Sequence, residues 1–356
     1  MSELIGAWRD RVRAAATEKE SLRIVGGGSK DFYGQELEGT VFDTSAYSGI
    51  NIYDPTELVI TARCGTRLSE IEYTLAEGGQ MLAFEPPHFG ADATLGGCIA
   101  AGLSGPRRPH GGAVRDHMLG VRLLDGRGDD LSFGGQVMKN VAGFDVSRLI
   151  AGSLGTLGII LEASLKCMPL PRAEATLAFE LPAAAALLKM NEWSALPLPL
   201  SASFWCRGRL YVRLSGAAIA VGAAKSRLGG EETQDAPALW RAIREQEHAF
   251  FQQGSERALW RLSVRSTAPY VDLDNDQLIE WGGALRWICT ASDESGARFR
   301  AWAKDQAGHA TLFRSPDKSA GAFHALAPPL LALHQRLKSA LDPAGILNPH
   351  RMYADF

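Results

Sequence analysis

Thr94-Leu-Gly-Gly-Cys98, Gly102-Leu-Ser-Gly105, Gly111-Gly112 and Gly152-Ser-Leu-Gly155-Thr-Leu-Gly158-Ile-Ile160 are the segments whose reading decides the fold. The stretch they define, Thr94 to Ile160, carries 15 of the 38 glycines in the chain. Between the clusters run Arg107-Arg108, Arg115-Asp116 and Lys139-Asn140. Glycine lets backbone approach a ligand closely and adopts positive φ without steric cost. Successive exposed N–H groups in such turns form anion-binding hollows, which helix starts reinforce. With basic residues beside them, the hollows point to a large anionic ligand such as a dinucleotide diphosphate. A Rossmann crossover does not fit, because G-x-G-x-x-G is absent. Gly152-x-x-Gly155-x-x-Gly158 has another spacing and leads into a strand instead of a helix.

Upstream of the glycine-rich stretch, Met1 to Arg13 reads as a charged amphipathic helix through Leu4, Ile5, Trp8 and Val12, unlike a signal peptide. Leu22-Arg-Ile-Val25 is a short strand running into Gly26-Gly-Gly-Ser-Lys30. Val41-Phe-Asp43 and Leu58-Val-Ile-Thr-Ala62 read as strands of the same small sheet. Thr66 is expected to cap a helix with Leu68, Ile71 and Leu75 on one face, stopped by Gly78-Gly79. Thr94 should cap a second helix through Leu95, Ile99 and Leu103. Met118 to Leu124 alternates as a strand, Asp125-Gly-Arg-Gly128 signals a hairpin, and Leu131-Ser-Phe133 returns. Gly158 to Lys166 is a further strand. Strand, glycine loop, strand and helix in this order make an α+β half.

Past Pro171 the glycine clusters end. Thr176–Leu181, Ser201–Cys206 and Arg209–Leu214 read as strands, with helices at Ala183–Trp193 and Ala217–Leu228. A second set follows: a helix at Ala238–Gln252, strands near Leu259–Arg265 and Ala284–Thr290, a helix at Glu294–Ala307 and a strand at Ala310–Arg314. Two βαβ-like sets suggest a small ferredoxin-like antiparallel α+β domain. A last helix, Ala325–Leu341, precedes Asp342-Pro-Ala-Gly-Ile-Leu-Asn-Pro349.

The 356 residues suffice for two domains, and a net charge of −3 offers no electrostatic case for nucleic acid or an anionic membrane surface. The five cysteines, Cys64, Cys98, Cys167, Cys206 and Cys289, contain no CxxC pair, which argues against zinc ribbons and iron–sulfur ligand sets. Their odd, scattered count reads as reduced thiols in the cytosol. No apolar run approaches the roughly 20 residues of a bilayer span. A soluble, cytoplasmic protein is expected, with peripheral attachment to the inner membrane through partners left open.

Gly26-Gly-Gly-Ser-Lys30 after a strand, the Thr94-Leu-Gly-Gly97 helix start, Arg115-Asp116 before a strand and Gly155-Thr-Leu-Gly-Ile159 together resemble the FAD-binding domain of the vanillyl-alcohol oxidase (PCMH-type) family. Leu341-Asp-Pro-Ala-Gly-Ile-Leu-Asn-Pro349 is similar to the closing segment that these flavoproteins fold back onto that domain. Within the family, Phe84-Glu-Pro-Pro-His-Phe89 and Ser104-Gly-Pro-Arg-Arg-Pro-His110 resemble the FAD-binding subunits of bacterial glycolate oxidases. The resemblance implies a PCMH-type FAD-binding domain of two α+β subdomains over residues 1–172. A ferredoxin-like cap would occupy 173–320, and a C-terminal segment, 321–356, would return to the FAD domain. It further implies that Gly26, Gly27, Gly28, Ser29 and Lys30 wrap the FAD diphosphate, with Gly27 needing both close approach and a glycine φ. A second loop maps onto Pro87, His88, Thr94, Gly96, Gly97, Ala101, Ser104 and Gly105. A third maps onto Gly155, Thr156, Gly158 and Ile159, near the adenosine half. Lys30 closes the first loop and Cys98 lies inside the second helix, so non-covalent FAD is expected.

The chain departs from its resemblance in one respect. Longer 2-hydroxy-acid dehydrogenases of the family carry a histidine- and acid-rich metal run, of which Gly308-His309-Ala-Thr-Leu-Phe-Arg314 keeps a remnant. No metal is therefore expected. Oxidising a 2-hydroxy acid requires a base for the hydroxyl proton and a cation for the carboxylate. Arg207, Arg209 and Arg213 are candidate clamps, and Tyr270, His309 and His324 candidate bases, none in a family-matched context. Three readings follow. The chain is a FAD-binding, electron-relaying subunit that works on glycolate or D-lactate beside a larger catalytic flavoprotein and an iron–sulfur subunit. Alternatively it is a complete small oxidase, or a non-enzymatic assembly subunit with structural FAD.

Overall fold

The computed structural model describes residues 2–135, 145–254, 256–272, 276–291 and 296–356. Lys139, Asn140 and the expected helix start at Glu294 lie outside the described residues. Alternation in the glycine-rich stretch translates directly into a sheet. Met118–Leu124 and Asp130–Gly134 form an antiparallel hairpin, and Ile159–Lys166 lies on the other side of the first of these strands. The turn between them is tied by Asp125, whose Oδ1 accepts from the backbone N–H groups of Arg127 and Asp129 at 2.8 and 2.9 Å. Val59–Arg63 and then Ile50–Asp54 complete five antiparallel strands.

Leu22–Val25 instead pairs in parallel with Thr40–Asp43 in a separate two-stranded sheet, so the three strands expected upstream divide between two sheets. The partner that draws Val59–Arg63 away, Ile50–Asp54, is an edge strand with an exposed Ile52, which hides its apolar signal. The helices Leu68–Glu77 and Leu95–Ala101 bury Leu68, Ile71, Leu75, Leu95, Cys98 and Ile99 in the same core. Thr94 caps the second, its side chain accepting from Gly97 N–H at 3.3 Å. Thr66 does not cap the first. It exchanges hydrogen bonds with Gly49 at 2.9 and 3.1 Å, tying the helix entry to a neighbouring loop.

The following 140 or so residues build one eight-stranded antiparallel sheet. Its two halves meet where Leu200–Cys206 pairs with Asp276–Glu280, a short strand with no clear alternating signal. Successive residues alternate between the sheet's two faces. Phe204, Leu278 and Leu259 point into a core shared with Tyr33, Ala101, Leu103 and Leu154 of the glycine-rich half. Trp205 and Ile279 face the helix Ala183–Ser194, while Trp260 faces the helix Ala297–Asp305. The helix expected over Ala238–Gln252 spans only Ala236–Arg244, because Gln246 takes φ +57 and turns the chain out of it. Among the described residues no helix is long and apolar enough to cross a membrane.

After the helix Pro328–Leu341 the chain runs back to the first strand, where Leu22 and Leu347 form a parallel bridge. Buried Lys338 holds this return. Its ammonium donates to Thr156 O at 2.9 Å, Leu347 O at 2.7 Å and Asp342 Oδ2 at 2.7 Å. Asp342 also accepts from the N–H groups of Ile346 and Leu347. Removing one partner of such a buried pair leaves an uncompensated charge. Lys338→Met should therefore destabilise the chain by about 3–5 kcal/mol in urea denaturation; a loss under about 1 kcal/mol would contradict this role.

Candidate functional site

The first glycine loop, the Thr94 helix start and the Gly155 turn meet along one groove of about 760 Å³, including its open mouth. Gly26, Gly27, Gly28, Ser29 and Lys30 line one side. Thr94, Gly96, Gly97 and Ala101 line the groove as well, together with Gly155 and Gly158. A second opening continues from Gly26–Gly28 past Ser45, Gly65 and Arg67.

Glycine serves two separate needs here. A Cβ on Gly27 would lie 1.6 Å from the carbonyl oxygen of Asp92, so the two loops touch backbone to backbone. Positive φ is not the reason at Gly27; it is the neighbouring Gly28 that takes φ +67. Two cations, Lys30 and Arg351, border the groove, and a third, Arg23, pairs with its lining residue Asp31. Lys30 donates to His88 O at 3.1 Å and sits 5.8 Å from the centre of the Phe89 ring. Burial lowers its affinity for a proton. Arg23 pairs with Asp31 at 2.8 Å. Arg351 donates through Nη2 to Asp31 O and Tyr33 O, yet its Nη1 is buried without a partner. Desolvation pulls Arg351 down to about 10. A hollow lined by glycine backbone and an orphaned buried guanidinium nitrogen beside it both fit an anionic diphosphate.

Other residues expected at the site lie elsewhere. Pro87, Ser104 and Gly105 line a separate cavity against the eight-stranded sheet. His88 bridges to the sheet half, with its N–H on Glu245 Oε2 at 2.9 Å and its ring 3.1 Å from Glu72. Thr156 donates to Ser153 O at 2.7 Å in the core, and Ile159 is fully buried there. Arg351, Asn348, Thr44, Cys64 and Ile160 line the groove without having been singled out. Asn348 stood inside the quoted Leu341–Pro349 segment and offered a signal. It joins the first strand to the third glycine turn, accepting from Ile24 N–H at 2.8 Å and donating to Leu154 O at 2.7 Å. All five cysteines are buried and unpaired, and burial pushes the Cys64 and Cys98 thiols up to about 12.

The candidate clamps and bases stay apart from the groove. Arg207 pairs with Asp276, and Arg209 with Glu231 at 3.0 Å, both on the surface. Arg213 is buried and fully engaged, with Glu85 at 2.8 Å and Ser201 at 3.1 Å. Burial opposes ionisation of Glu85, but Arg213 and Arg107 together hold its carboxyl below the usual range. Tyr270 packs against Trp205 and His309 sits on an outer strand of the sheet. The ring Nδ1 of His324 is buried without a hydrogen bond. Among the described residues, no three His, Cys, Asp or Glu side chains converge as a metal site.

The separate cavity, about 350 Å³, holds Arg261, Gln246 and Glu280 between Trp281 and Trp287. Burial raises the Glu280 carboxyl to about 7; the Trp287 indole and Arg261 oppose this, and Glu85 adds to it.

Fold and groove define a flavoprotein of the α+β FAD-binding class. The family described as FAD binding domain matches residues 6–134. Over 97% of its length the chain is 46% identical to glycolate oxidase subunit GlcE of Escherichia coli (strain K12), covering 96% of that protein. It is also 30% identical to a D-lactate dehydrogenase of Archaeoglobus fulgidus, over 47% of this chain and 38% of that one. Among solved structures, alkyldihydroxyacetonephosphate synthase shares the fold, with TM-score 0.65, 16% identity, and coverage of 97% of this chain and 75% of the other. The chain belongs to the family of glycolate oxidase subunit GlcE. Its cofactor is FAD.

Two predictions follow from this geometry. Gly27→Val forces the first loop away from Asp92 and should abolish the visible flavin absorption while leaving the far-ultraviolet circular dichroism unchanged; normal flavin content would contradict the cradle. For Glu280, a carboxyl whose folded value lies above its unfolded one stabilises most below the unfolded value. That stability is lost as pH rises from 4.5 through about 7. The loss corresponds to about 3 kcal/mol. Glu280→Gln should flatten this part of the urea-denaturation pH profile; an unchanged profile would contradict it.

Proposed function

We propose that this chain is the FAD-binding subunit of a glycolate (2-hydroxy-acid) oxidase complex that converts glycolate to glyoxylate, and that within it the chain mainly binds FAD and relays electrons. The observation that carries the reading is the groove: three glycine turns, distant in sequence, meet with orphaned Arg351 Nη1 beside them. Gly26–Lys30 and Arg351 would hold the diphosphate, Thr94, Gly96, Gly97 and Ala101 the middle of the cofactor, and Gly155 and Gly158 its adenosine half. Residues 1–172 with 321–356 form the flavin unit in this reading, and 173–320 the cap. When bound, FAD supplies a two-electron acceptor and a relay to further centres. The protein's own part is to orient it, to exclude water with the Leu154, Ile160 and Ala101 walls, and to hold it without a covalent bond. The buried thiol of Cys98, neutral at physiological pH, supports that last point.

The partners in this reading are a larger catalytic flavoprotein and an iron–sulfur subunit, and the complex is cytoplasmic, reaching the inner membrane through those partners. The catalytic step is assigned to the larger partner because Gly308–Arg314 keeps only a remnant, His309, of the base and metal run that the resemblance implies for longer relatives. General base catalysis alone contributes about 10²–10⁴-fold. The test is anaerobic mixing of the isolated, flavin-loaded chain with glycolate and with D-lactate. The flavin should stay oxidised alone and bleach once the partner subunits are added. Bleaching by the isolated chain within seconds would instead make it a complete small oxidase.

A further inference from the structure

The cavity between the Pro87–Pro106 region and the inner face of the eight-stranded sheet contains polar groups whose bonding capacity the protein leaves unused. Arg261 makes no side-chain hydrogen bond or salt bridge among the described residues. Its guanidinium lies 5.1 Å from the Trp281 ring centre and 6.0 Å from that of Trp287. Aromatic faces orient a guanidinium without occupying its N–H donors, so the planar fork remains available. Gln246 is 4% exposed, and its side-chain Oε1 is buried with no partner. Glu280, also 4% exposed, accepts from the Trp287 indole N–H at 2.6 Å.

The contrast with Arg213 and Arg107 is informative. Both lie in the same inter-layer region, and both are met by Glu85. Arg261, half-buried on its strand, has no such ion pair and meets only the longer-range field of Glu280. The Arg108 guanidinium also lies 4.5 Å from the Trp281 ring centre and adds positive potential.

We propose that this cavity binds a small 2-hydroxy or 2-oxo monocarboxylate, with the Arg261 fork on the carboxylate and the Gln246 amide on the oxygen at C2. The anionic class follows from Arg261; the choice of 2-oxygenated acid rests on the glycolate-oxidase reading. A neutral Glu280 donates to the ligand carboxylate, whereas an ionised one would repel it, and its burial favours the neutral form. Binding here needs no redox step, so the isolated chain can hold the acid without oxidising it.

The experiment is calorimetric titration of the full-length, flavin-loaded chain with glycolate, acetate and uncharged glycolamide. Saturable binding of glycolate and no binding of glycolamide are expected. Arg261→Gln should weaken glycolate by about 30-fold or more, at unchanged flavin absorption. Gln246→Met should weaken glycolate by about tenfold but leave acetate nearly unchanged, since acetate has no oxygen at C2. No glycolate binding by the wild type, or full affinity in Arg261→Gln, would overturn the site. If Arg261→Gln does not fold, equal weakening of glycolate and acetate by Gln246→Met, or none, overturns the assignment. Failure of wild-type binding while glycolate still bleaches the flavin in the assembled complex would remove this site and leave the functional reading standing. Absence of bleaching in the complex would remove that reading instead.

Discussion

The closest backbone approach in the groove, Gly27 against the Asp92 carbonyl, is the constraint on which the rest depends. A Cβ there has no room, and one on Gly26 would meet Thr94 Oγ1 at 2.5 Å. The first loop can therefore lie against the start of the Leu95–Ala101 helix only because both residues lack side chains. That contact sets the floor of the groove and brings two sets of backbone N–H groups to one side of it. The third turn obeys the same rule at Gly155, where φ is +74 and Asn348 Nδ2 lies 2.7 Å from the Cβ position.

Two polar clusters hold this geometry in place. Lys338 and Asp342 fasten the returning C-terminal segment, which in turn delivers Asn348 and Arg351 to the groove. Glu85 fastens the two layers: it accepts from Arg107 N–H at 2.8 Å and from Arg213 at 2.9 Å, joining the second loop to the sheet. Each cluster pairs its buried charges fully. Arg261 and Gln246 depart from that pattern in the cavity lined by Trp281 and Trp287, as Arg351 Nη1 does in the groove.

Much of the site was legible because glycine clusters and a capping threonine are local signals. Gly26–Lys30, the Thr94 cap and the hairpin at Asp125–Gly128 are encoded within a few residues each. Arg351 was not legible, since its role depends on a chain reversal some 320 positions from Asp31. The strand arginines misled for a related reason. Alternation tells which face Arg213 occupies but not that Glu85, from another layer, meets it there. Glu280 and Arg261 sit on short or mixed strands, where nothing local marks Glu280 as buried or Arg261 as half-buried. The shortened helix at Ala236–Arg244 ends through a backbone conformation at Gln246 that its residue type does not announce.

Non-covalent FAD held by the three turns of the groove is the feature on which the functional reading depends. Its most direct measurement is the visible spectrum of the purified full-length chain, followed by acid precipitation and analysis of the supernatant. Flavin bands in the native protein and stoichiometric FAD in the supernatant, with a colourless pellet, are the expected result. A chain without flavin bands, even after incubation with FAD, would contradict it, as would flavin retained in the pellet.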